Sequence, residues 1–171
     1  MADLRPALDT IPRLARIAFA AGCAERAVIA YELEQYGNSK PLHEAVDAVW
    51  NAALGVEPEA AAIQALEQRV RSVTPVIDED PDHEPSALAG MSVMFALRAI
   101  RDATGKTAAR AASLEIACFA AITEDAATSI EEDWQARALA RVSAPGAPVS
   151  RDTLRSLPPP PPKDLYVPAA E

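Results

Sequence analysis

Residues 12–36 read PRLARIAFAAGCAERAVIAYELEQY, and this stretch decides the fold class. Apolar residues recur along it at alternating steps of three and four, which is the period of an α-helix. The recurring positions are Leu14, Ile17, Ala21, Ala24, Val28 and Tyr31. A second apolar stripe consists of Phe19, Cys23 and Ala30. We therefore predict one long helix with two apolar faces, which is typical of a helix at the centre of a bundle.

Glycines, prolines and polar clusters divide the rest of the chain into further predicted helices. These cover residues 2–8, 40–54, 58–73, 86–104, 106–123, 125–142 and 150–157. Half of all residues are hydrophobic but only 5% are aromatic, which favours closely packed helices over strands. The sequence thus predicts an all-α, single-domain bundle of about seven or eight helices over residues 1–157. Five consecutive prolines then open a proline-rich tail, 158–171, which cannot join a helical core.

Charge and cysteine content restrict the partners and the compartment. The formal net charge of −9 argues against nucleic-acid binding, because a phosphate backbone attracts lysine and arginine. The N-terminus does not resemble a signal peptide, and no uncharged apolar run is long enough to span a membrane. Only two cysteines occur, Cys23 and Cys118, both within apolar helical patterns. We predict buried free thiols and a cytoplasmic location, with a single packed disulfide as the alternative.

Two patterns resemble chemical motifs but are better explained by structure. Gly105-Lys106-Thr107 resembles the end of a phosphate-binding loop, yet Ile100 stands where that motif needs its first glycine, so we interpret Gly105 as a helix stop. The acidic run 78–84 lacks the central glycine of a calcium loop, and we interpret it as a solvated loop. No G-x-S-x-G elbow is present, and burial suppresses the reactivity of thiols. We predict no catalytic residue, no metal and no cofactor, and hence a protein that is not an enzyme.

Two sets of residues are candidate binding sites. The first is a surface for a protein partner and consists of Asp78, Glu79, Asp80, Asp82, Glu84, Glu131, Glu132, Asp133, Leu165 and Tyr166. The second is a pocket between helices and consists of Glu25, Arg26 and Trp50. Glu25 and Arg26 lie in mid-helix beside the apolar stripe. The alternative for these two residues is therefore a set of ion pairs between helices inside the bundle.

Two short patterns carry a family resemblance. The order F-x-x-x-C-x-E-R from Phe19 to Arg26, followed by L-x-x-x-V-D-x-x-W from Leu42 to Trp50, resembles the N-terminal signature of the YjaG-like family of small bacterial proteins. The layout of residues 8–157 is similar to that family, although the proline tail lies outside its pattern. The resemblance implies an all-helical cytoplasmic protein and no particular chemistry, because the function of that family is unknown. Size, acidity and alanine content are also similar to those of helical immunity proteins of toxin systems.

These observations leave functional hypotheses from different classes. The first is a helical protein that binds another protein of basic charge, either as a toxin-neutralising immunity protein or as a regulatory subunit. The second is a small-ligand-binding protein or an enzyme that uses the pocket near Trp50, Glu25 and Arg26. A third is a homo-oligomer in which the tail segment around Leu165 and Tyr166 reaches onto a neighbouring copy.

Overall fold

The computed structural model describes residues 3–77, 81–102, 104–123, 127–146 and 149–159. These residues form eight α-helices and a short 3₁₀-helix at Pro81–His83. The α-helices are α1 (Arg5–Thr10), α2 (Arg13–Leu33), α3 (Lys40–Ala53), α4 (Ala60–Arg71), α5 (Glu84–Ala99), α6 (Lys106–Thr123), α7 (Thr128–Ser143) and α8 (Arg151–Arg155). Across the described ranges the chain contains no strand, so the all-α prediction is confirmed. None of these helices is long and apolar enough to cross a membrane.

Helix α2 lies at the centre of the bundle, as its two apolar stripes predicted. It packs against α3, α5, α6, α7 and α8, and fourteen of its 21 residues are buried. Every residue of the two predicted stripes is buried except Leu14, 42% of whose surface is exposed. Ala15 is buried in its place, so the inward face at the start of α2 is rotated from the predicted one.

Helices α5 and α6 pack closely on each other, and both pack on α2. The small residues that they bury include Ala87, Ala89, Ser92, Ala96, Ala99, Ala108, Ala111 and Ala112. Ser92 Oγ donates a hydrogen bond to the Ala111 carbonyl at 2.9 Å, and this bond joins the two helices in the interior. Because small side chains let helix axes approach each other, a chain with few aromatic residues still forms a tightly packed core.

Several helix ends differ from the predicted boundaries. Helix α2 ends at Leu33 rather than near residue 36, and Gln35 takes a left-handed φ of 53° just beyond it. Helix α5 begins at Glu84 because Pro85 fits the first turn, where its missing N–H has no helical acceptor to lose. It also ends earlier than predicted, at Ala99.

Gly105 is not the helix stop that was predicted. It lies beyond the end of α5 and directly before α6, and its amide donates to Asp9 Oδ1 at 2.6 Å. A β-carbon at Gly105 would lie 2.6 Å from the Cβ of Leu8. Glycine is therefore needed here because α1 passes against this segment, leaving no space for a side chain.

Helix α8 is short, but it completes the candidate site. The side chain of Ser150 accepts a hydrogen bond from the Thr153 amide at 3.2 Å and so caps the start of α8. Leu154 is buried, and α8 packs on α2. Arg151 and Arg155 are four positions apart, so they project from the same side of α8.

Candidate ligand-binding cleft

A cleft of about 290 Å³ opens between α2, α3, α7 and α8. We call it the arginine cleft. Its lining residues are Gly22, Glu25, Arg26, Ile29, His43, Trp134, Arg151, Leu154, Arg155, Pro158 and Pro159. Its size is close to the lower end of the range of about 300–1,000 Å³ that is usual for small-molecule sites.

Gly22 lets two large side chains close onto α2. A β-carbon at this position would lie 3.0 Å from Leu154 Cδ1 and 3.0 Å from Trp134 Cη2. Trp134 and Leu154 therefore approach the backbone of α2 more closely than any larger residue would allow. Together with Ile29, they form an apolar wall.

The rim of the arginine cleft is organised by Glu25. Its Oε1 accepts hydrogen bonds from Arg151 Nε at 2.8 Å and from Arg155 Nη2 at 2.5 Å. Its Oε2 accepts from Trp50 Nε1 at 3.2 Å. Arg151 Nη1 also donates to Asp47 Oδ1 at 2.6 Å. Burial alone would lower the pKa of Arg151, but the hydrogen bonds and charges of Asp47 and Glu25 outweigh it and raise that pKa.

The floor of the cleft is Arg26, which is 6% exposed. Its Nε and Nη2 donate to the two carboxylate oxygens of Glu131 at 2.7 Å and 2.6 Å, a two-pronged pair across α2 and α7. Its Nη1 donates to the carbonyl of Pro158 at 3.3 Å. The guanidinium lies 4.6 Å from the ring centroid of Trp134. The position of the Arg26 side chain is thus fixed by Glu131, the Pro158 carbonyl and the ring of Trp134.

Glu115 lies behind Arg26, and with Glu131 and Gln135 the four residues form what we call the charge cluster. Glu115 Oε1 lies 3.6 Å from Arg26 Nε, and Gln135 Nε2 donates to Glu115 Oε2 at 2.5 Å. The pKa of Glu115 is raised well above its usual value, first by burial and then by the hydrogen bond and charge of Glu131. Arg26 and Gln135 oppose this rise. Oε1 of Glu115 is buried and has no hydrogen-bond partner among the described residues.

Both cysteines are free, buried and close enough to the charge cluster to be influenced by its charges. The pKa of Cys23 and that of Cys118 are raised well above the usual value, mainly by burial and then by the charge of Glu115. Cys118 Sγ donates to the carbonyl of Glu115 at 3.1 Å. A buried thiol with a raised pKa is a poor nucleophile, because the thiolate is the reactive form. Neither histidine hydrogen-bonds to these thiols: His43 Nε2 pairs with Glu32 Oε1 at 2.7 Å.

The structure brings the predicted pocket residues together. Glu25 and Arg26 both line the arginine cleft, and each also forms the ion pairs between helices that were the alternative. Trp50 is 3% exposed and does not line the cleft, but its indole N–H donates a hydrogen bond to the carboxylate of Glu25. The pocket hypothesis and the ion-pair hypothesis are therefore compatible, because Glu25 and Arg26 line the cleft and also form ion pairs between helices.

The predicted partner surface stays a prediction, and the structure corrects it at one position. Glu131 is wrong as a surface residue: it is fully buried, because its carboxylate pairs with Arg26. Asp82, Glu84, Glu132 and Asp133 are exposed. Asp78, Glu79, Asp80, Leu165 and Tyr166 lie outside the described residues.

Among the residues of the site that the sequence analysis missed are Glu115, Gln135, Arg151, Leu154 and Arg155. Glu115 carried a signal that was not used. It stands three and four positions before Cys118 and Phe119, on the apolar face of α6, where an acid needs a buried partner. The spacing of Arg151 and Arg155 also indicated a basic face, although nothing in the sequence indicated that this face meets Glu25.

Comparison with known proteins yields no relative. No protein-family model matches the chain, no curated protein matches it, and no solved structure matches it. The YjaG-like resemblance stays a prediction. Within the described part of the chain, no three histidine, cysteine, aspartate or glutamate side chains are grouped so that they could hold a metal ion.

Proposed function

We propose that this protein is a non-catalytic binding protein and that the arginine cleft is its binding site for a small ligand. The observation that carries the proposal is the cleft itself, where an apolar wall of Ile29, Trp134 and Leu154 faces fixed guanidinium groups. Small-molecule sites commonly combine an apolar lining with a few positioned polar groups. The non-catalytic part is supported by the two cysteines, whose thiols are buried and whose pKa values are raised.

A cytoplasmic location and the YjaG-like assignment belong to the same proposal. The two free, buried thiols support a reducing compartment. The helical architecture agrees with the resemblance, because an all-helical fold is what the resemblance implies.

Filling the cleft is expected to abolish the binding of a neutral apolar probe. The dye N-phenyl-1-naphthylamine emits more strongly when it leaves water, so titration into the full chain reports occupancy. We expect Ile29→Trp to weaken dye binding at least about tenfold, because the larger side chain takes the ligand's place against Trp134. Leu54→Trp is the matched control, since Leu54 is 63% exposed and does not line the cleft. Equal dye binding by wild type and Ile29→Trp would show that the cleft is not the site.

A second candidate function is the binding of a basic protein, and a different groove favours it. Arg71, Thr74, Pro75, Val76, Ile77, Met91 and Met94 line an open cavity of about 430 Å³. Val76 is 53% exposed, and methionines adapt to varied partner surfaces. The acidic run 78–84 begins directly after Ile77. An apolar groove whose last lining residue before the acidic run is Ile77 suits an amphipathic segment that carries lysine or arginine.

This second candidate predicts a local effect of charge. A labelled amphipathic Leu/Lys peptide serves as the probe, and its anisotropy reports binding to the full chain. We expect Asp82→Asn/Glu84→Gln to weaken peptide binding about tenfold, because the double variant removes two negative charges that attract the lysines of the peptide. The control is Glu132→Gln/Asp133→Asn, which removes the same charge from exposed positions of α7. If both double variants weaken binding equally, the peptide responds to net charge and the groove has no specific role.

A further inference from the structure

We propose that the ligand of the arginine cleft is an amphipathic molecule with an oxyanion head, a carboxylate or a phosphate, whose apolar body lies against Ile29, Trp134 and Leu154. The oxyanion meets the guanidinium groups of Arg151 and Arg155 at the rim. This inference rests on the proposed function, and it specifies the chemistry that the cleft selects.

Unused hydrogen-bond donors are the first argument. Each guanidinium has five N–H groups. Bonds to the described residues use three of these groups on Arg26, two on Arg151 and two on Arg155. Donors therefore remain on all three side chains after their ion pairs are formed. An oxyanion can accept from them without separating any existing pair, and charge-assisted hydrogen bonds of this kind are about twice as strong as neutral ones.

The scarcity of acidic groups is the second argument. Glu25 is the one acidic residue among the described residues that line the cleft. Its Oε1 already accepts from Arg151 and Arg155, and its Oε2 accepts from Trp50. A ligand ammonium would bring only donors into a site that already holds three guanidinium groups. The cleft therefore disfavours a cationic head although the chain as a whole carries a net charge of −9.

The rigidity of the rim is the third argument. Glu25 holds Arg151 and Arg155 from one side, while Asp47 holds Arg151 from the other. Side chains fixed in this way lose little rotamer entropy when a ligand binds. Each guanidinium also presents its donors in a rigid fork, which matches the geometry of a carboxylate or a phosphate.

Four probes with one eight-carbon chain test the head group directly: octanoate, octyl phosphate, 1-octanol and octylammonium, titrated calorimetrically into the full chain. We expect at least one anion to bind about tenfold more tightly than 1-octanol, about 1.4 kcal/mol, and octylammonium to bind most weakly. A preference for octanoate or for octyl phosphate identifies the source of the oxyanion. Equal binding of 1-octanol or octylammonium to the better anion overturns the proposal.

Arg155→Gln separates the head-group contact from the apolar one. We expect this variant to weaken binding of the better anion about tenfold and to leave 1-octanol unchanged, because Arg155 is exposed at the rim. The matched control is Arg137→Gln, an exposed arginine on α7 that pairs with Asp133 outside the cleft. Unchanged anion binding by Arg155→Gln contradicts the assignment. If the neutral dye binds in the cleft but no anion does, only the ligand class is wrong, whereas loss of both also removes the proposed function.

Discussion

Replacing Arg26 with methionine is expected to lower the free energy of unfolding by about 3–5 kcal/mol at pH 7. The side chain is buried, and its two-pronged pair with Glu131 is sealed between α2 and α7. Methionine keeps much of the length but leaves the carboxylate of Glu131 without a cation. The folded protein must then hold an uncompensated charge in its interior or take up a proton. Urea unfolding followed by circular dichroism measures the loss.

A double variant shows that the loss arises from the orphaned charge rather than from poor packing. Arg26→Met/Glu131→Leu removes both partners, and buried pairs replaced by apolar residues are often neutral in stability. We therefore expect the double variant to recover most of the stability that Arg26→Met loses, with a coupling of about 2 kcal/mol or more. Arg137→Met is the matched control on α7. Its exposed pair with Asp133 is expected to contribute about 0.5 kcal/mol or less.

Two outcomes would contradict this account of the charge cluster. A loss below about 1 kcal/mol in Arg26→Met would mean that water or a neighbouring group screens Glu131 well. If the double variant is as unstable as the single one, the loss of stability arises from the lost contact between Arg26 and the ring of Trp134. With a chain of this size, stabilities of about 5–15 kcal/mol are usual, so the single variant should still fold and be measurable.

The fold was predictable from periodicity because burial follows the helical repeat. Residues 12–36 indicated a central helix, and α2 is central, because two apolar faces must both be covered. Helix ends were less predictable, since they depend on contacts made by other segments. Gly105 shows this well: in sequence it resembles a helix stop, but its role is to let α1 pass close to the start of α6.

Only the α2 residues of the candidate site were predictable from the sequence. Glu25 and Arg26 were conspicuous because they interrupt an apolar helix. Their partners, Arg151 and Glu131, come from α8 and α7, more than 100 positions away in the chain. No local pattern encodes such pairings, because they result from how separate helices pack. Glu131 was assigned to the surface because it stands beside the acidic Glu132 and Asp133, which are exposed.

The stability of this protein is expected to depend on pH through Glu115, and Glu115→Gln is expected to remove that dependence. The pKa of Glu115 is raised in the folded state, first by burial and then by the hydrogen bond and charge of Glu131. Between its ordinary value of 4.5 and the raised one, the folded chain binds one more proton at this site than the unfolded chain does. The stabilising contribution is therefore complete below the ordinary value and is lost as the pH rises towards the raised one.

Glutamine imitates the protonated carboxyl, because it is neutral and has nearly the same shape. At pH 4 we expect Glu115→Gln and wild type to unfold at similar urea concentrations. As the pH rises, the variant should become the more stable of the two, and the difference should grow by at most about 1.4 kcal/mol per pH unit until the raised pKa is reached. Glu132→Gln, exposed on α7, is the control and should follow wild type through the same titration.

Glu131 determines how far this dependence extends to higher pH. Its hydrogen bond to Glu115 and its negative charge both raise the pKa of Glu115. In Glu131→Gln the repulsion disappears, and Arg26 can turn its charge towards Glu115, 3.6 Å away. The difference between variants with and without Glu115 should then shrink at pH 7. A difference that stays constant from pH 4 to pH 8 in the wild-type background would mean that folding does not raise the pKa of Glu115.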